Sequence, residues 1–285
     1  MSRIYDALKK LEAERLGRKG NGAKEGNGGG NGGGNGIGNG SGNGGGNGKR
    51  RNWRRFFGNG GNGHPQVSLN FDLGADVEEA YQRLGTNLLV PGPAQAGTGP
   101  RLLGVTASRH GEGTTTTAAV FGAILVRRRG GRVVVVEANL RSPSFDTAFG
   151  IRRDGGFAEL IEGQRPLAEV ALPTEVPNLF AIGCGHAVRG ASALLDSPGV
   201  VPVLEQLRAQ FDFVIFDLPP ANVYGDASIL GPRLDAALIV IEADRTRVPE
   251  VERTRRSLER VGVKVVGSVL NRRHNYIPAF LEEML

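Results

Sequence analysis

Cysteine is all but missing: Cys184 stands alone among 285 residues, so no internal disulfide can form and the fold must rest on its core. No uninterrupted apolar run approaches the roughly 18 residues that a membrane span requires, so membrane contact is expected to be peripheral or through another protein. The first residues also lack the apolar stretch of a signal peptide, carrying Arg3, Asp6, Lys9 and Lys10 instead, which argues against export and for the cytoplasm. Acidic residues are scarce early in the chain. Residues 1–63 hold 4 Asp+Glu against 12 Lys+Arg, a net of +8, whereas the remainder holds 25 against 23, a net of −2. Any acidic partner implied by the charge therefore meets the arm, not the body.

Glycine is what abounds, at 45 residues, and most of the excess lies before Gly63. Composition thus divides the chain near His64 into a Gly/Asn-rich arm and a body, residues 64–285, with room for one sizeable α/β domain. In residues 1–16, Ile4, Leu8 and Leu11 recur at helical spacing among Asp6, Lys9, Lys10, Glu12 and Glu14, which predicts a short amphipathic helix. A helix of about 15 residues is marginal alone in water, so a docking peptide that folds against a partner is the preferred reading; packing on its own body is the other. Residues 17–63 read as a disordered linker, of which a coil of about 30 residues spans on the order of 30 Å. Within it, residues 49–57 interleave Lys49, Arg50, Arg51, Arg54 and Arg55 with Trp53, Phe56 and Phe57. That composition suits an anionic lipid surface, with a solvated patch and single-stranded nucleic acid as the alternatives, nucleic acid being the least favoured.

The body alternates strand and helix signals. Helices are expected over residues 76–89, 114–128, 200–210 and 249–261, and strands over 101–106, 132–137, 179–182, 213–216, 236–241 and 263–270. Four consecutive valines, Val133 to Val136, indicate a strand buried on both faces. This rhythm predicts an α/β, doubly wound, mainly parallel sheet with helices on both faces and with ligands at the carboxyl ends of the strands.

After the first strand of that sheet come Ser108, Arg109, His110, Gly111, Glu112, Gly113, Thr114, Thr115, Thr116 and Thr117. Strand, glycine turn and helix N-terminus together aim backbone N–H groups and a helix dipole at a phosphate. Gly111, Glu112, Gly113, Thr114, Thr115 and Thr116 are the expected cradle for ATP or ADP. A Walker A loop has Lys where Thr114 stands, and its ammonium offsets charge on the terminal phosphates. Thr115 keeps the hydroxyl that would face Mg²⁺, and Arg109 is the candidate replacement cation, in this chain or across a dimer. Two strand ends downstream carry acids, Glu137 and Asp217, where a nucleotide-bound Mg²⁺ would be held. Thr115, Glu137 and Asp217 are therefore the expected metal ligands.

On these residues the body resembles the bacterial tyrosine kinases of capsule and exopolysaccharide synthesis (BY-kinases), relatives of the Min and Par ATPases. Gly111-Glu112-Gly113 is similar to their Walker A loop, Asn139-Leu140-Arg141 with Pro143 to their Walker A′ segment, and Asp217 with Pro219-Pro220 to their Walker B, Asp226-Ala227 following at the expected interval. Residues 79–88 resemble the helix before the first strand, Asn271 the Asn that faces adenine, and Met1 to Lys10 the start of many members of exopolysaccharide clusters. The resemblance implies Glu137, Asn139 and Asp217, with Arg109, as the catalytic set. It also implies a membrane polysaccharide co-polymerase or adaptor docked by residues 2–16, a homo-oligomer, and a place at the inner face of the membrane.

Departures from the family pattern bear on activity. Lys is replaced by Thr114, one Asp by Glu137 and another by Asn139, which cannot accept a proton as a general base. The helix that carries Glu, Arg and Arg in relatives has Glu79, Gln82 and Gly85, and in place of a tyrosine-rich tail the final segment offers Tyr276. The sequence therefore favours a kinase-like regulatory or scaffolding subunit with weak or absent hydrolysis and phosphotransfer. An active tyrosine autokinase using altered residues, and a partition-type ATPase, are the two alternatives. Leu140-Arg141-Ser142-Pro143 and Pro219-Pro220 weigh against the last.

Overall fold

A computed structural model describes residues 75–89, 101–151, 154–186, 188 and 190–273; the expectations placed on residues 1–16, 17–63 and 49–57 and on Tyr276 lie outside them. The strongest apolar runs become the strands at the centre of one sheet. β1 (Leu102–Ala107), β2 (Val133–Glu137) and β5 (Phe213–Asp217) are buried almost throughout, as parallel strands covered on both faces must be. With β3 (Leu172–Pro173), β4 (Leu179–Ile182), β6 (Ala236–Glu242) and β7 (Val265–Asn271) they form a seven-stranded sheet in the order β3-β4-β2-β5-β1-β6-β7. All pairings are parallel except the two-residue edge strand β3, which runs antiparallel to β4.

Helices lie on both faces. On one, α1 (Ala75–Leu89) packs against α2 (Thr114–Arg129), which covers the sheet with Ala118, Ala119, Phe121, Ala123 and Leu125. Gly122 lets α2 approach closely, since a Cβ there would lie 2.8 Å from Val135 Cγ2. α3 (Phe145–Phe149) joins this side through Phe145 and Phe149. The other face is covered by α4 (Phe157–Ile161), α5 (Leu167–Val170), α6 (Ala191–Asp196), α7 (Val200–Gln210), α8 (Asp226–Leu230) and α9 (Val248–Arg260).

Chain order explains where the site falls. From β1 the chain moves to β2 and β4 on one side, fills the gap with β5, and then adds β6 and β7 on the other. β1 is thus the switch point, and the segment leaving its carboxyl end sits where such sheets open a crevice.

Candidate functional site

The loop after β1 is held from within. Ser108 N and Arg109 N donate to Glu112 Oε2 at 2.7 and 3.0 Å, and Thr246 Oγ1 donates to the other oxygen of this buried carboxylate. Asn271 Nδ2 donates to the carbonyl of Glu112 at 2.9 Å. Gly113 adopts φ +96°, and a Cβ on it would stand 2.3 Å from Asn271 Nδ2, so only glycine serves there. The first helical bond runs from Thr117 N to Gly113 O at 2.9 Å. Ahead of it the amides of Thr114, Thr115 and Thr116 precede any intrahelical partner, and no side chain caps the helix. Four turns of aligned peptides place positive charge at this end, which is an anion site in waiting.

Opposite the loop stand the two strand-end acids, paired in register as Glu137 and Asp217. Thr115 Oγ1 donates to Asp217 Oδ2 at 2.6 Å and lies 3.3 Å from Ser144 Oγ. Asp217 is fully buried and its Oδ1 has no hydrogen-bond partner. Burial pushes this carboxyl up to about 7, with the Thr115 and Thr114 hydroxyls pulling down and the neighbouring Glu137 pushing up.

Glu137, expected as a metal ligand, turns its carboxylate to the backbone. Its Oε1 accepts from Ser144 N and from Phe145 N at 2.7 Å, and its Oε2 accepts from Cys184 N at 3.0 Å. The extra methylene carries the carboxylate past the strand tip to three main-chain donors, where it ties β2 to α3 and to the end of β4. Burial raises its pKa, the three backbone bonds partly offset that, and Asp146 adds to the rise. Among the described residues, no three His, Cys, Asp or Glu side chains converge as a metal site.

The other expected residues divide similarly. Asn139 Oδ1 accepts from Ser142 N at 3.2 Å, bracing its own turn. Arg109 is half exposed and lies 3.7 Å from Glu250 on α9, so within this chain its charge is drawn to that helix. Glu112 contributes its backbone to the loop, while its side chain is a strut. Asn271 likewise braces the loop, and accepts from Arg272 N at 2.9 Å. Sequence reading missed Ser144 and Thr246, for which a serine and a threonine in loops give no signal.

A polar cluster rims the loop. Arg141 forks onto the buried Asp226 at 2.7 and 3.0 Å and donates to Ser192 Oγ at 2.7 Å. Its guanidinium lies 4.8 Å from the Tyr224 ring centroid, and His110 of the loop meets the same ring edge-on at 5.5 Å.

A glycine loop between a central parallel strand and a helix N-terminus, with a buried Asp hydrogen-bonded to the second threonine of that helix, defines a protein of the P-loop NTPase fold. No family model matches the chain. It is 28% identical over 197 residues to the tyrosine-protein kinase CpsD of Streptococcus pneumoniae serotype 4, a match covering 69% of this chain and 84% of that protein. It is 31% identical over 207 residues to the putative tyrosine-protein kinase EpsB of Ralstonia nicotianae, where the match covers 73% of this chain and 26% of the relative. Among solved structures, the VpsO kinase domain superposes with a TM-score of 0.61 at 24% identity, covering 70% of this chain and 97% of that one. The chain is thus similar, over most of its body, to proteins named as bacterial tyrosine kinases, the BY-kinases.

Proposed function

We propose that the chain is a kinase-like regulatory or scaffolding subunit of an exopolysaccharide or capsule synthesis and export system, in which ATP or ADP is held weakly and tyrosine phosphotransfer is slow or absent. The observation that carries this reading is at position 114. A short hydroxyl, that of Thr114, stands in the sequence where the family pattern has an ammonium. Phosphoryl transfer is catalysed chiefly by positioning and by positive charge on the phosphate oxygens, and a comparable cation, the arginine finger, is worth about 10³–10⁵ in rate.

What remains fits phosphate better than it fits chemistry. The amides of residues 113–116 and the α2 dipole bind and orient the phosphates, which favours ground-state binding over the transition state. Thr115 and Asp217 fit a Mg²⁺ ion, Asp217 Oδ1 having no hydrogen-bond partner, while the Glu137 carboxylate is turned to three backbone donors. When bound, Mg²⁺ would neutralise charge on the terminal phosphate oxygens. Asn139, an amide, takes no proton from an attacking hydroxyl.

The remaining parts of the proposal concern assembly. Residues 2–16 dock a membrane co-polymerase or adaptor, and residues 49–57 touch anionic lipid, which together hold the body at the inner face of the membrane. The helix positions that would serve a homo-oligomer are engaged inside the chain. Glu79 pairs with Arg83 at 2.6 Å, Gln82 bonds Glu78 and Arg128, and Gly85 is buried against Phe121 and Leu125.

Purified full-length protein with ATP and Mg²⁺ is expected to stay blank on an anti-phosphotyrosine blot. Thr114→Lys combined with Asn139→Asp is expected to raise ATP turnover at least severalfold. Labelling of the unmodified protein, lost in Tyr276→Phe, would replace this reading with that of an active autokinase.

A further inference from the structure

Helix α9 sorts its charges around its axis. Thr254 and Leu258 face the body and are buried, with Thr254 Oγ1 2.7 Å from Ser108 Oγ. Arg253, Arg256 and Arg260 recur at intervals of three and four residues and are exposed, so they form one row on the outward side, roughly 10 Å long. The helix's acids lie elsewhere. Glu259 and Glu252 flank the row and bind Arg255 at 2.9 and 3.1 Å, while Glu250 points to Arg109 and to the helix start. Within the row, Arg256 pairs with Glu252 at 3.5 Å. Among the described residues, no ion pair is made by Arg253 or Arg260.

We propose that this arginine row docks the folded body onto an anionic phospholipid surface. The residues between its members are polar or charged, Thr254, Arg255, Ser257 and Glu259, with Leu258 turned inward. The row therefore lacks the apolar or aromatic anchor around which a protein–protein contact concentrates its energy. Attraction to an anionic leaflet needs no anchor: each Arg near the surface strengthens partition by about fivefold. A convex helix offering three outward cations in line meets a flat charged sheet without rearrangement. The inference is independent of whether the nucleotide site is active; it concerns a surface separate from residues 49–57 and departs from the expectation, drawn from net charge alone, that an acidic partner meets the arm and not the body.

The test is sedimentation of the full chain with vesicles of phosphatidylcholine alone or with about one third phosphatidylglycerol, residues 49–57 being left intact. Arg253→Gln, Arg256→Gln and Arg260→Gln together are expected to lower partition onto the anionic vesicles at least tenfold, with an unchanged melting curve. The corresponding Lys triple is expected to stay within about threefold of wild type, because a leaflet responds to point charge whereas a carboxylate partner needs the guanidinium fork. If the Gln triple melts early, Arg253→Gln alone decides, with a loss of about fivefold expected. Equal partition of the Gln variant and wild type overturns the proposal. So does equal loss in the Lys and Gln triples, which would show that the point charge of the row is not what the leaflet reads, or a row-dependent gain in DNA binding with none to vesicles.

Discussion

Burying a carboxyl at Asp217 has a thermodynamic consequence that can be measured without any ligand. Its pKa stands at about 7, chiefly because burial disfavours the charged form, against 3.8 ordinarily. The folded state therefore holds a proton that the unfolded chain releases between these values. The stabilisation this gives is fully present below about pH 4 and is lost as pH rises through about 7, on the order of 4 kcal/mol at most. Thermal melting with a chelator should show stability falling across this window in the wild type, and a flatter profile in Asp217→Asn. Identical profiles in the two proteins would mean that Asp217 titrates normally. Glu137 makes the complementary case, since its stem length matches its three donors. Glu137→Asp restores the family residue but withdraws the carboxylate from Ser144, Phe145 and Cys184. One or more buried N–H groups then lose their acceptor, at a cost of about 1–3 kcal/mol. Urea unfolding of this variant at wild-type stability would show that Glu137 is no strut.

Between elements, the fork of Arg141 on Asp226 joins the turn after β2 to α8, and Ser192 adds α6 through a 2.6 Å bond to the same carboxylate. Asp226 is fully buried and Arg141 about one third exposed. Arg141→Ala should therefore cost about 2 kcal/mol, less than a wholly buried pair because solvent screens part of it. Combining it with Asp226→Ala should cost at least about 1 kcal/mol less than the two single changes added, and strict additivity would show the pair to be uncoupled. The elements legible in the sequence were those long enough to carry a period. α7 falls on residues 200–210 as expected, and α9 begins and ends one residue earlier than its predicted span. The five helices of four to six residues, α3 to α6 and α8, were not anticipated, nor was β3. Such segments are too short to show periodicity and are made by tertiary bonds, as where Phe157 N and Ala158 N donate to Gly183 O and Cys184 O. The site divides in the same way. The phosphate loop and the acid at the tip of β5 were readable because each is a local pattern. The destinations of Glu112 and Glu137 were not, since their partners Thr246 and Cys184 lie 134 and 47 positions along the chain.

Across the whole body, the loop at the switch point is braced from the β6–β7 side by Asn271, Thr246 and Thr254, and faces Asp217 on β5. A phosphate ligand held there meets a cradle assembled only by the folded sheet, so its binding must appear as added stability of the entire domain. If affinity is weak, with a Kd on the order of 1 mM, then about 1 mM ADP adds only about 0.4 kcal/mol. For a domain of this size that raises Tm by about 1 °C. Thr114→Lys should tighten binding about tenfold by returning an ammonium to the phosphates. The same ADP would then add about 1.4 kcal/mol and raise Tm by roughly 3–6 °C. The control is the Tm of each protein without ADP, because an ammonium beside the buried Asp217 changes the stability of the free state as well. A large shift in the unmodified protein would mean that backbone amides and Thr115 suffice for tight binding. The absence of a shift in Thr114→Lys would mean that the loop has lost more than its cation.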